Sequence, residues 1–566
     1  MRNSLMNTRS NFREEKLMAE KNDAQQITSQ LWAMANELRG NMDASEFRNY
    51  ILGFMFYRYL SDNQENYLRE TGLFAPKDGQ TWNDAFRDVA SDPESRKEYL
   101  EDISSELGYA IAPEQTWATL VQKVNDDKII PSDYQDLFDD FNKNASLNPG
   151  AESDFRGIFA DINLGDSRLG NSTTARAKAL SGIVRLVDSF DYNDKHGRDI
   201  LGDVYEYLIA QFAGNSGKKA GEFYTPHQVS KVLAKLVTLD VPSDKEIFTV
   251  YDPTMGSGSL LLTVREELPK TVKGVMFHGQ ELNTTTFNLA RMNLMMHNVP
   301  YTNMNLRNAD TLEDDWPDGV VGGVDSPRSF DAVVANPPYS IHWDNNANKL
   351  KDPRFKPFGA LAPKSKADFA FVEHGLYHLN ETGTMAIVLP HGVLFRGAAE
   401  GKIRKAIIEK NYLDAVIGMP AGLFFSTGIP TVVLVFKKSR SRRDIFFIDA
   451  SNNFEKGKNQ NILRDSDIDK MVEAYKNRED VDKYAHKAEP DEIRENEFNL
   501  NIPRYVDTTE PEKPVDVVKV VADIKESDKK IAQLSRELAK DIDDLVANND
   551  EAAKQLAALK ELFKNE

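Results

Sequence analysis

The sequence predicts a mixed α/β protein: a doubly wound, mostly parallel sheet set between an N-terminal helical bundle and a C-terminal long helix. Three observations carry this reading. From about Ser167 to Asp449, short apolar runs recur with helical stretches between several of them, the alternation that builds parallel sheets. Before Asp166, apolar residues fall at helical spacing with no alternating strand pattern. Beyond Pro514, a charged helix carries an apolar residue at every seventh position.

Residues 1–22 read as a charged arm without periodicity, and Met18 within it is a second candidate start. The helical domain is expected over 23–166. Ile27, Leu31, Met34 and Leu38 follow helical spacing, and Gly40 ends that helix. Asp43-Ala-Ser-Glu46 fits a capping box. It opens a helix whose stripe of Phe47, Tyr50, Ile51, Phe54 and Tyr57 reads as core.

The sheet domain is expected over 167–480. Its candidate strands are 247–251, 274–278, 304–307, 330–335, 384–389, 413–418, 431–436 and 445–448. The last two are expected to form an antiparallel hairpin at the sheet edge. The basic run Lys437-Lys438-Ser-Arg440-Ser-Arg442-Arg443 between them reads as solvated, with a phosphate contact as the competing reading.

The region 481–566 turns polar, and Pro511 and Pro514 break any element there. Val517, Ile524, Ile531, Leu538 and Leu545 then repeat by sevens, with Val521 and Ile542 at helical offsets. Asp528 and Ser535 interrupt the second seam position. The helix therefore reads as docking on a partner helix or bundle, or packing on its own domain.

Composition narrows the function. At 566 residues, with 40% hydrophobic and 28% charged residues, the chain is globular. It has no cysteine, which excludes disulfides, thiolate catalysis and cysteine-bound metals. No apolar run approaches the roughly 20 residues of a membrane span, and the N-terminus lacks the apolar core of a signal peptide. A cytoplasmic protein, without a membrane partner, is expected. The net charge of −19 is wrong for a chain that grips nucleic acid by itself. Any DNA work then needs another chain to supply much of the grip.

The chemistry-bearing residues fall at the carboxyl ends of successive candidate strands, where ligands bind in open α/β sheets. Asp252-Pro253-Thr-Met-Gly256-Ser257-Gly258-Ser259 is a glycine turn into a helix, where the missing side chains let a ligand approach the backbone. Leu261 replaces the third dinucleotide glycine, and Gly214-Asn-Ser-Gly217-Lys218 has the wrong spacing for a P-loop. Glu281 closes the next strand, where an acid accepts both hydrogen bonds of a ribose diol. Asp310 follows the third strand and suits an adenine amino group.

After the fourth strand stands Asn336-Pro337-Pro338-Tyr339. Two prolines remove two backbone donors, the asparagine adds an acceptor, and the tyrosine adds a flat face. That set suits an exocyclic amino group on a flat heterocycle, although the tetrapeptide alone also fits an ordinary Asn-Pro turn. His374 and His378 lie at metal-pair spacing, but Glu373 precedes them in a broken zinc-protease pattern and no third ligand is evident. No metal site is expected.

In this order, the glycine loop, Glu281, Asp310 and Asn336–Tyr339 resemble the motifs of the S-adenosylmethionine-dependent amino-methyltransferases of DNA. Upstream, Gly221-Glu222-Phe223-Tyr224-Thr225-Pro226 resembles the motif that closes over the methionine end of the cofactor in the adenine-N6 subgroup. The helical N-terminal domain, Leu500-Asn-Ile-Pro-Arg-Tyr505 and the long C-terminal helix resemble the methylation subunit of type I restriction-modification systems. The resemblance implies a Rossmann-like methyltransferase domain with S-adenosylmethionine as cofactor. Its binding residues would be Glu222, Phe223, Tyr224, Thr225, Asp252, Pro253, Gly256, Ser257, Gly258, Ser259, Glu281 and Asp310. Asn336, Pro337, Pro338 and Tyr339 would carry catalysis, with Tyr339 stacked on a flipped adenine.

In that family, Asp368-Phe369-Ala-Phe371 lines the base or cofactor pocket; Phe369 as plain core is the other reading. Implied partners are DNA, a specificity subunit, a second copy of this chain and an ATP-dependent restriction subunit. Asn-Pro-Pro-Tyr also occurs in methyltransferases of protein glutamine and of RNA guanine. Those activities, and a non-catalytic scaffold, are the alternatives.

Overall fold

The computed structural model describes residues 29–34, 42–192, 200–215, 224–313, 320–321, 324–325, 328–424, 428–458, 460–508 and 516–562. Two compact units emerge, Met1–Asp507 and Thr508–Glu566.

In the first unit, the long helix Ala44–Thr71 buries Phe47, Tyr50, Ile51, Phe54 and Tyr57. Around it pack helices Trp117–Asn125, Pro131–Ala145 and Thr173–Asp188. The helical packing thus runs past Asp166: Tyr134 and Ser181 share a buried hydroxyl pair at 2.9 Å, and Trp117 Nε1 donates to Asp188 at 2.9 Å. Leu31 is buried in a helical stretch, whereas Ile27, Leu38 and Gly40 lie outside the described residues.

The main sheet has nine strands: β1 (Ile247–Asp252), β2 (Gly274–Glu281), β3 (Met304–Asn308), β4 (Phe330–Ala335), β5 (Leu379–Pro390), β6 (Leu413–Gly418), β7 (Thr431–Lys437), β8 (Ile445–Asp449) and β9 (Ala485–Ala488). Their spatial order is β9-β8-β6-β7-β5-β4-β1-β2-β3, with only β7 and β9 antiparallel to their neighbours. Successive residues face opposite cores: Ala332 and Val334 join one, Val333 and Ala335 the other. Burial on both faces explains why these strands read as continuous apolar runs.

Two expectations need correction. β7 and β8 are not a hairpin, because β6 lies between them and pairs with both. The basic run that follows β7 is not uniformly solvated. Arg440 is 2% exposed and pairs with Asp414 at 2.8 Å, while Arg478, itself buried, bridges Asp414 and Asp444. Ser439 and Ser441–Arg443 of that run are open to solvent. Residues 481–507 fall in the same compact unit as the sheet. They supply β9, and Tyr505 stacks on Phe447 of β8 with ring centres 3.9 Å apart.

Strand order reverses between β1 and β4, which are parallel neighbours. The loops after these two strands therefore diverge and leave a crevice at their carboxyl ends. The helix Thr284–Met296 beside this crevice is pinned to the N-terminal helices. Asp161 accepts from Thr285 Oγ1 at 2.5 Å and Asn288 Nδ2 at 2.6 Å, and Arg291 donates to the carbonyls of Ser153 and Asp154.

The second unit is a helical pair, Val517–Asp543 and Asp550–Leu562. Ile542 is buried, but Val517, Val521, Ile524, Ile531 and Leu538 stand exposed. No described helix is long and apolar enough to cross a membrane.

Candidate active site

A cavity of about 840 Å³ occupies the β1/β4 switch point. Nine of the sixteen residues given above as cofactor-binding or catalytic line it: Thr225, Pro253, Gly256, Ser257, Ser259, Glu281, Asp310, Asn336 and Pro338. Tyr224, Asp252, Gly258, Pro337 and Tyr339 are not among its lining residues, and Glu222 and Phe223 lie outside the described residues.

The glycine turn is built by its backbone. Gly256 has φ +54° and Gly258 φ +78°, conformations that favour glycine. A Cβ on Gly258 would stand 2.4 Å from Leu294 Cδ1, so a side chain there requires Leu294 to shift. Asn293 Nδ2 holds the turn through the Ser257 carbonyl at 2.9 Å. Behind it, the Glu206 carboxyl is pushed up to about 7 by burial, and His297 lies 3.7 Å away.

Glu281 ends β2 with its carboxylate across the loop. Oε2 accepts from the Gly256 amide at 3.2 Å and Oε1 from the Asn283 amide at 2.8 Å, and burial raises its pKa. Asp252 is 2% exposed, and its Oδ1 accepts from the Thr254 amide at 2.9 Å. Burial, then the nearby Glu281 charge, pushes the Asp252 carboxyl up to about 8. It shapes the loop from within. Asp310 lines the cavity and accepts from the Leu312 amide at 3.0 Å.

Beneath these loops runs a buried chain that the sequence did not reveal. Arg354 Nη1 donates to the Thr311 carbonyl at 2.8 Å and to His374 Nδ1 at 3.2 Å. With Nδ1 accepting, His374 donates from Nε2 to the Tyr251 hydroxyl at 2.7 Å, and Tyr251 donates to Gln280. Burial holds His374 neutral. Tyr251, Gln280 and Thr311 are the chain neighbours of Asp252, Glu281 and Asp310, so one network ties the three strand-end loops together. The two histidines thus sit in the core, and among the described residues no group of three His, Cys, Asp or Glu is placed to hold a metal.

At the end of β4, Asn336 Nδ2 donates to Thr225 Oγ1 at 3.1 Å and its Oδ1 accepts from the Tyr339 hydroxyl at 2.8 Å. Ser340, at φ +51°, gives its amide to Asp368 at 2.8 Å, and Asp368 pairs with Arg396 at 2.9 Å. Phe369 is core, whereas Phe371 reaches the cavity. Leu312, Ile341 and Trp343 complete an apolar wall. The only sequence signal for these is position, immediately after the Asp310 and Asn336–Tyr339 loops.

The arrangement can seat an elongated ligand with acids at one end and present a flat ring's amino group to Asn336 at the other. Comparisons agree with this chemistry. The family model described as N-6 DNA Methylase matches residues 196–514, and one described as HsdM N-terminal domain matches residues 27–187. The type I restriction enzyme MpnII methylase subunit of Mycoplasma pneumoniae is 36% identical over 541 residues, covering 92% of this chain and 98% of that protein. The crystal structure of the type I restriction-modification system methyltransferase subunit from Streptococcus thermophilus is 46% identical with a TM-score of 0.77, covering 86% of this chain and all of that one. A solved type I restriction-modification chain at 18% identity and a TM-score of 0.55 shows the same fold over 92% of this chain and 99% of its own.

Proposed function

The chain belongs to the N-6 DNA methylase family, as a type I restriction-modification methylase subunit, and on that premise we propose that its switch-point cavity transfers a methyl group from S-adenosylmethionine to adenine N6 in DNA. The observation that carries this is the single cavity joining Glu281 and Asp310 to Asn336 and Pro338.

The residues present fit the cofactor. Gly256 and Gly258 carry the turn at φ +54° and +78°, and Gly256, Ser257 and Ser259 line the cavity beside it. Glu281 would hold the ribose diol, Asp310 the adenine amino group, and Thr225, Ser257 and Ser259 the methionine end. When bound, S-adenosylmethionine supplies an electrophilic sulfonium methyl.

The protein's task is then alignment. Adenine N6 is a poor nucleophile because its lone pair conjugates with the ring. Asn336 Oδ1 and the Pro337 carbonyl would accept the two N6 protons and favour the pyramidal nitrogen of the transition state. Asn336 stabilises developing charge and does not act as a base. The target base must leave the duplex to reach this crevice, and Tyr339 would stack on it.

The partners follow from charge and surface. A chain of net charge −19 needs a specificity subunit to grip and choose DNA. The exposed stripe on Val517–Asp543 suits a helix of that partner. A second copy of this chain and an ATP-dependent restriction subunit would complete the complex. Purified chain alone should give little site-specific N6-methyladenine, and adding the specificity subunit should restore it. Robust site-specific methylation by the lone chain, or label entering protein or RNA in place of DNA, overturns the proposal.

A further inference from the structure

Asn336 is held at both ends of its amide, and the two contacts differ in consequence. An amide presents an acceptor oxygen on one side and a donor NH2 on the other. Which of them faces an incoming base decides whether an amino group is attracted or repelled. Thr225 engages the NH2 at 3.1 Å, which leaves the oxygen on the opposite side. That oxygen is already occupied by the Tyr339 hydroxyl at 2.8 Å. Burial keeps the phenol protonated, and therefore a donor, across the working pH range. The backbone beyond Tyr339 is fixed by the Ser340–Asp368 contact, so the hydroxyl can leave Asn336 only by rotation of its own side chain.

Resting on the reading of this cavity as an adenine-N6 methyltransferase site, we propose that the Tyr339 hydroxyl is a built-in stand-in for the target amino group. It satisfies Asn336 Oδ1 while no base is present and yields that acceptor to the N6 protons as the ring turns to stack. Thr225 is the positioning residue that, with the Tyr339 hydroxyl as donor on the other side, anchors the Asn336 amide with its oxygen toward the base. Asn336 Oδ1 thereby keeps a partner between turnovers, at the cost of a competitor that every target base must displace.

Removal of the competitor should help the base. In the complex assembled with its specificity subunit, Tyr339→Phe keeps the ring and loses the donor, so kcat/KM for DNA should rise about 2- to 10-fold, the weight of one neutral hydrogen bond. The variant should also discriminate more sharply between bases. A duplex with unsubstituted purine at the target position offers no N6 proton and would leave Asn336 Oδ1 bare in Tyr339→Phe. The preference for adenine over purine, measured as duplex binding with S-adenosylhomocysteine present, should therefore widen several-fold relative to wild type.

Thr225→Val should lower kcat at saturating S-adenosylmethionine, and Thr225→Ser should restore it. The inference is overturned if Tyr339→Phe leaves kcat/KM unchanged or reduced, if the purine preference does not widen, or if Thr225→Val keeps full kcat. Wild-type complex that makes no N6-methyladenine would defeat the reading of the site itself. Wild type that does make it, unmatched by a gain in Tyr339→Phe, would defeat only the present inference.

Discussion

Gly258→Ala should cripple the cofactor turn by a mechanism that can be dissected. The residue sits at φ +78°, and its new methyl would stand 2.4 Å from Leu294 Cδ1, a side chain with no exposed surface. The left-handed conformation costs an L-residue about 1–2 kcal/mol. Forcing a methyl into a packed core costs about 1–3 kcal/mol more. The sum, about 2–5 kcal/mol, is large beside a typical folding free energy of about 5–15 kcal/mol.

A double-mutant cycle separates the two contributions. Leu294→Ala alone should cost about 2–5 kcal/mol through its cavity. In the double mutant the added methyl enters that cavity, so the combined cost should fall short of the sum by about 1–3 kcal/mol, the steric share. Urea midpoints of the full chain give the stability side. Calorimetric titration with S-adenosylmethionine gives the functional side, where Gly258→Ala should weaken binding at least about tenfold if one charge-assisted contact is lost. Additive stability costs, or normal cofactor affinity in Gly258→Ala, would refute the reasoning.

Other predictions rest on buried ionisable groups. Glu373 is fully buried with neither carboxyl oxygen hydrogen-bonded, and burial raises its pKa well above the usual range. The folded state therefore keeps a proton that the unfolded chain loses above a pH of about 4.3, and stability falls by up to about 1.4 kcal/mol per pH unit from there toward the folded pKa. Glu373→Gln should melt higher than wild type at pH 8, with the gap closing toward pH 5; a gap that widens on acidification contradicts the assignment. Asp252, with its pKa raised to about 8, should favour a cationic ligand increasingly as pH rises through that value. Affinity for S-adenosylmethionine should accordingly climb from pH 6.5 to 8.5 more steeply than affinity for the uncharged thioether S-adenosylhomocysteine, and Asp252→Asn should flatten the difference. His374→Phe breaks the Arg354–His374–Tyr251 chain and should weaken cofactor binding at least about fivefold, because three strand-end loops lose a shared anchor and roughly one hydrogen bond's worth of order; unchanged affinity would remove that role.

The legible part of this molecule is local. β1 to β4 are short apolar runs ending in glycine, acid or Asn-Pro signals, and period and turn chemistry suffice to find both them and the loops that meet at the cavity. Strand order is a long-range property, and nothing in the residues of β7 says that it inserts between β5 and β6. β9 carries His486 and Lys487, and backbone pairing to β8 makes it a strand. Arg440 looks solvated within a basic run because the acid that buries it, Asp414, and the second arginine of the cluster, Arg478, lie distant in sequence. At the site, residue identity pointed to Asn336 and Tyr339 but not to the hydrogen bond between them. It named Asp252 as a cofactor residue but not the burial of its side chain inside the turn. Such contacts depend on side-chain direction after folding, which spacing alone does not encode.

The most direct test of the central claim is tritiated-methyl transfer to DNA by the assembled complex carrying Asn336→Ala, with cofactor affinity measured in parallel. Loss of the Oδ1 acceptor should reduce the transfer rate by about 10²- to 10³-fold. S-adenosylmethionine affinity should stay within about twofold, since Asn336 is the target-base end of the cavity and each 1.4 kcal/mol lost from cofactor contacts would show as tenfold. Near-normal transfer by Asn336→Ala would contradict the account.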